Sequence, residues 1–105
     1  MVVRFPFTDG SEFKKRPALI ISNESVNKTG DYLIAQITSK QINDKLSISV
    51  GETDCLKPMP LKSYIRVHKI FTVSKSLILS KITAVKPEFF NLVSGKIYSL
   101  IEYKS

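Results

Sequence analysis

The side chains with most to offer chemistry stand in three short runs: Glu12 with Lys14-Lys15-Arg16, Thr38-Ser39, and Arg66 with His68. Lys14, Lys15 and Arg16 are consecutive cations, and Pro17 follows them. Proline biases the residue before it towards extended backbone, so Arg16 is expected at the mouth of a strand. The Thr8-Asp9-Gly10-Ser11 run ahead supplies residues that accept tight or left-handed turns. A polar loop ending in a fixed guanidinium can grip an anion. A solvated surface loop has the same composition, and this segment alone leaves both readings open.

Several chemistries are excluded or marked down. One histidine and one cysteine cannot build a structural zinc site, and no acidic cluster has magnesium or calcium spacing, so no metal is expected. The four glycines are scattered singly, without a phosphate-binding loop or a dinucleotide fingerprint, and no cofactor is expected. His68 can formally serve a Ser-His-Asp or Cys-His site, but no nucleophile elbow accompanies it. Cys55, in a connector, reads as an inert small hydrophobe.

The 105 residues are expected to form a single domain, 1–105, large enough for one core without disulfides or metal. With 43% apolar residues the chain can build that core, which argues against disorder. One cysteine suits a reducing cytoplasm, and neither a signal peptide nor a membrane-length apolar run is visible. A soluble, cytoplasmic protein is expected. Sixteen Lys and Arg against nine Asp and Glu leave a net charge of +7, which points to an anionic partner such as nucleic acid or an acidic protein. A basic solubilising surface gives the same count.

The elements that must position these residues are mostly strands. Residues 2–7 alternate as a strand, with Pro6 marking an edge or an end. Residues 17–23 are the most apolar strand, 25–30 a turn and 31–37 a third strand. A polar loop over 40–45 leads to the alternating run 46–50. The irregular connector 51–62 holds Pro58 and Pro60 and is long enough to suggest a functional or interface loop. In 64–73, Ile65, Val67, Phe71 and Val73 share one face, and Arg66 and His68 the other. Lys69 falls on the apolar side, so either a bulge resets the register or its stem snorkels out. A sixth strand is expected over 77–85. Pro87 then opens a helix whose stripe is Phe90, Val93, Ile97 and Leu100/Ile101. Short strands closed by one terminal helix predict a small, mostly antiparallel barrel or half-barrel.

The run Phe5-Pro6-Phe7-Thr8-Asp9-Gly10-Ser11-Glu12-Phe13-Lys14-Lys15-Arg16-Pro17-Ala18-Leu19-Ile20-Ile21-Ser22 resembles the first conserved block of the PemK/MazF-type toxins of type II toxin–antitoxin systems. Gln36-Ile37-Thr38-Ser39 resembles the second block. Leu56-Lys57 with Ser63-Tyr64-Ile65-Arg66-Val67-His68-Lys69 resembles the third. The resemblance implies an SH3-like barrel of the CcdB/PemK/MazF type with a C-terminal helix, and a homodimer. It implies a sequence-selective, metal-independent endoribonuclease acting on single-stranded mRNA and leaving a 2′,3′-cyclic phosphate and a 5′-hydroxyl. A smaller acidic antitoxin would neutralise it, and operator DNA would be met only through that antitoxin.

Carried over by motif position, the catalytic pair is Arg16 and Thr38. RNA supplies its own nucleophile, the 2′-hydroxyl. The protein must then align it, stabilise charge on the phosphorane and move protons. Arginine stays protonated near neutrality, so Arg16 suits transition-state stabilisation and proton donation rather than the role of resting base. Thr38 would hold the phosphate. Ser39, Arg66, His68, Lys14, Lys15 and Glu12 are the candidate RNA-binding residues, Glu12 either by pre-setting the loop or as a plain surface charge.

Four departures from the family pattern stand out. Its first loop sometimes carries a histidine, where this chain has Gly10 and Ser11. His68 stands where an aspartate or asparagine is common, either as a substitute acid/base or as an exposed strand residue. Relatives carry several residues before the first strand, so that strand is expected to be short or frayed here. Thr83 replaces a common glycine in a turn. A non-catalytic toxin of the same fold acting on a protein such as DNA gyrase is the second reading, and a module that binds nucleic acid or antitoxin without cleaving is the third.

Overall fold

In the computed structural model, which describes residues 1–9 and 12–104, the chain runs β1 (Val2–Asp9), β2 (Glu12–Ile20), α1 (Glu24–Asn27), β3 (Asp31–Thr38), β4 (Ser47–Val50) and β5 (Ser63–Ser74). A 3-10 turn (Lys75–Leu77), β6 (Ser80–Thr83) and α2 (Pro87–Ile101) follow. The strands form one antiparallel sheet in the order β4-β5-β3-β2-β1-β6. The expected mostly-β fold with a C-terminal helix is present, as an open sheet edged by the four-residue strands β4 and β6.

Two clusters of buried side chains lie on this sheet. Val2, Leu19, Ala35, Ile37, Ile65 and Val67 pack with Phe89 and Val93 of α2. Val3, Phe5, Ala18, Ile20 and Ile34 form the second cluster, and Tyr32, Val73 and Ile78 pack against it. Neighbours in sequence fall into different clusters, as strand alternation requires. Leu19, Ile34, Ile37, Ile65, Val67 and Val93 are among the largest fully buried side chains, so the middle and C-terminal part of β3 are held by packing.

Several sequence expectations change. β2 starts at Glu12 rather than residue 17, and Lys14, Lys15 and Arg16 pair with Phe7, Pro6 and Phe5 of β1 instead of lying in a loop. Hairpin pairing overrides the local turn composition; Gly10 and Ser11, where the turn was placed, lie outside the described residues. β1 is neither short nor frayed: Val2 and Val3 are each 1% exposed, and Ile20 N–H donates to Met1 O at 2.9 Å. Pro6 sits beyond the stretch of β1 that pairs with β6 (Val2 to Arg4), where no ladder donor is needed.

The 25–30 turn holds the one-turn helix α1, with Asn23 as its N-cap and Lys28 as its C-cap, and Gly30 follows with φ +95°. The strand expected over 77–85 is shorter, preceded by the 3-10 turn. Thr83 is no mere turn residue: it is buried, and its Oγ1 accepts from Lys57 N–H at 3.1 Å, tying the 51–62 connector to β6. Cys55 is buried in that connector and bridges to Val85. Pro87 opens α2 as expected, but the helix buries Phe89 and Val93, with Phe90 and Ile97 at the margin and Leu100 and Ile101 exposed. No described helix is long and apolar enough to cross a membrane.

Candidate active site

Backbone pairing decides where the grooves open. Ile21 N–H donates to Leu33 O at 2.9 Å, so odd-numbered β2 residues bond towards β3. Ile20 N–H donates to Met1 O, so even-numbered ones bond towards β1. Pro17 therefore stands where its N–H would be given to Ile37 across the seam, and proline has none. The β2–β3 ladder ends at Ala18↔Gln36. Two residues past that couple on each strand are Arg16 and Thr38.

Arg16 and Thr38 line the same two grooves. One, with a volume of about 340 Å³, also draws on Gln36, Ser39, Lys40, Arg66 and Lys69. The other, about 230 Å³, passes under the connector and is walled by Pro17, Ile37, Met59, Pro60, Leu61 and Ile82, with Arg4 and Lys15 beside them. The first is cationic and open, the second largely apolar. Arg16 is half-buried and its Nε lies within the protein, while β1 fixes its backbone opposite Phe5. Thr38 Oγ1 accepts from Lys40 N–H at 3.2 Å, which leaves the hydroxyl hydrogen to donate elsewhere.

Arg66 is a closely held cation. It is 8% exposed, and its Nη2 donates to Asp44 Oδ2 at 3.0 Å while its Nη1 donates to Ser47 Oγ at 3.2 Å. His68 Nε2 lies 3.3 Å from Arg66 Nη2, so the ring stands against the guanidinium. Asp44 also accepts from Leu46 N–H through Oδ1 at 3.0 Å. That N–H, and then the Arg66 guanidinium, hold the Asp44 carboxyl below the usual carboxylate range. Arg66 thus anchors the 39–46 segment as well as lining the cationic groove.

The structure brings Arg16, Thr38, Ser39 and Arg66 into one groove. Lys15 lines the apolar one, Lys14 is exposed on β2, and His68 is exposed beside Arg66. Glu12 pairs with Asp9 in the hairpin, and its side chain lies outside the described residues. Gln36, Lys40 and Lys69 are not among the candidate site residues of the sequence, although Gln36 and Lys69 fall inside its motif blocks. Lys69's misfit in an alternating strand was the one sequence signal for it. Among the described residues no group of three His, Cys, Asp or Glu could hold a metal ion.

A family model described as "PemK-like, MazF-like toxin of type II toxin-antitoxin system" matches residues 1–101. No curated protein matches the chain. Among solved structures, a MazE–MazF complex from Deinococcus radiodurans superposes with a TM-score of 0.78 at 18% identity, over 98% of this chain and 94% of that one. Mycobacterium tuberculosis toxin MazF-mt6 gives 0.75 at 15% identity over 100% of both chains. An endoribonuclease in complex with its cognate antitoxin, from a mycobacterial species, gives 0.72 at 20% identity, over 98% and 94%. At these identities the likeness establishes the shared fold.

Proposed function

Since the chain belongs to the PemK-like, MazF-like toxins of type II toxin–antitoxin systems, we propose that it is a sequence-selective endoribonuclease cutting single-stranded mRNA without a metal. The observation that carries this reading is the shared groove of Arg16 and Thr38 at an opened strand seam, with Lys40, Arg66 and Lys69 along the same wall. An endoribonuclease is also among the structural neighbours.

In the proposed reaction the 2′-oxygen attacks the adjacent phosphorus and its proton passes to a base. The P–O5′ bond breaks, leaving a 2′,3′-cyclic phosphate, and the departing 5′-oxygen takes up a proton. The Arg16 guanidinium presents forked donors to the non-bridging oxygens as charge builds on the phosphorane, and can protonate the leaving oxygen. Thr38 donates its hydroxyl hydrogen to a phosphate oxygen and fixes the approach of the 2′-oxygen. His68, exposed beside Arg66, is offered as a substrate-binding residue.

The antitoxin is read as an acidic chain that covers the same cationic groove; toxin–antitoxin complexes are among the structural neighbours. A homodimer is proposed in which α2 contributes its exposed Leu92, Tyr98 and Ile101. Incubation of purified protein with a long RNA in EDTA tests the nuclease. Discrete cuts bearing cyclic phosphate, lost in Arg16→Ala, support it. RNA binding without cleavage, or inhibition of DNA supercoiling instead, refutes it.

A further inference from the structure

Lys69 reaches the cationic groove by a route that simple strand alternation denies it. Between β3 and β5, Ile37 pairs with Ile65 and Gln36 with Arg66, yet the next couple is Ala35 with Ile70. One step along β3 is matched by four along β5, so Val67, His68 and Lys69 have no partner on β3. An odd number of extra residues inverts the faces of everything beyond it. Ile65 and Val67 pack in the cluster beneath α2, whereas Val73, of the same parity, packs against the opposite cluster. Lys69, the last residue of the bulge, shares the parity of Val73 beyond it and comes out on the groove face. There it stands with Arg16, Gln36, Thr38 and Arg66.

The charge in this groove exceeds what one phosphate uses. In the proposed reaction Arg16 and Thr38 serve the scissile group, while Arg66 donates through Nη2 to Asp44 and through Nη1 to Ser47. Lys69 is exposed, on the same wall, and carries a compact ammonium that suits a point contact to a phosphate without base discrimination. We propose that the three-residue bulge of β5 delivers Lys69 to a phosphate neighbouring the scissile one, where it positions single-stranded RNA. The proposal deepens the nuclease reading and rests on it for the identity of the strand.

The test uses a non-cleavable 2′-O-methyl oligoribonucleotide, with dissociation constants measured across a range of salt for the parent, Lys69→Gln, Lys69→Arg and, as a remote control, Lys28→Gln. Lys69→Gln is expected to weaken binding about 3–10-fold at low salt and to reduce the slope of log K against log salt by about 0.7, one single-strand phosphate contact. Lys69→Arg should keep the parental slope, and so should Lys28→Gln. With cleavable RNA, Lys69→Gln should raise KM and leave kcat near parental. An unchanged slope in Lys69→Gln, or an equal loss in Lys28→Gln, overturns the proposal even if the parent cuts RNA. A Lys69-dependent slope in a protein that cuts nothing upholds this contact and refutes the nuclease.

Discussion

Arg16 and Thr38 lie on adjacent strands, each two residues past Ala18↔Gln36, the last couple of the β2–β3 ladder, and both line the same two grooves. Had residue 17 an N–H to give Ile37, the seam would continue through this point. Arg16→Ala and Thr38→Ala are each expected to lower kcat by about a hundredfold or more, the usual effect of losing one transition-state donor. Circular dichroism and denaturant midpoints should stay near parental, since both residues stand at groove walls rather than in a core. Turnover within a few-fold of the parent in either variant would remove that residue from the chemistry.

The Asp44–Arg66 pair makes the anchoring of the 39–46 segment sensitive to acid. Asp44 has its folded pKa lowered by the Leu46 N–H and the Arg66 guanidinium. A depressed carboxylate contributes stability above its unfolded value, about 4, and loses it as pH falls through the folded value. Protection factors at Leu46 and its neighbours, taken relative to the intrinsic exchange rate at each pH, should therefore fall selectively below about pH 4. Asp44→Asn should show the lower protection already at neutral pH. Flat protection of Leu46 down to global acid unfolding would contradict the anchor.

Thr83→Val keeps the shape of a buried side chain but removes the oxygen that accepts from Lys57 N–H. The expected loss is about 1 kcal/mol in urea unfolding, the typical net worth of one internal hydrogen bond. Exchange at Lys57 should rise more than at Leu56, whose N–H donates to Ala84 O at 2.8 Å. A midpoint equal to the parent's would mean that the connector is held by other contacts.

Cys55 should be chemically quiet in the folded protein. It is 3% exposed, and burial pushes its thiol above the ordinary range, with the Asp54 carboxylate adding to the effect. Thiolate is the reactive form, so alkylation by iodoacetamide near neutral pH should track unfolding. Mass spectrometry with and without urea reads this directly. Rapid labelling of the native chain would show that the Cys55–Val85 bridge opens readily.

The number of strands, and the places of most of them, can be read from the residues alone, because alternation survives in single segments such as Leu46 to Val50. They also place the terminal helix, from Pro87, and the motif positions of Arg16, Thr38 and Arg66. They show too that something had to give near Lys69, a charge on an apolar face.

The rest depends on contacts between segments distant in the chain. That Lys14 to Arg16 lie in a strand depends on pairing with Phe7 to Phe5, a partner the local composition does not reveal. Which side of the sheet Phe71 and Val73 take depends on a three-residue slip against β3. The pairing of Arg66 with Asp44, 22 positions away, depends on β4 laying Ser47 beside β5. Local propensity acts within a few residues, whereas register and groove walls are set by which strand lies alongside, and a proline's missing donor matters only once its neighbour is known.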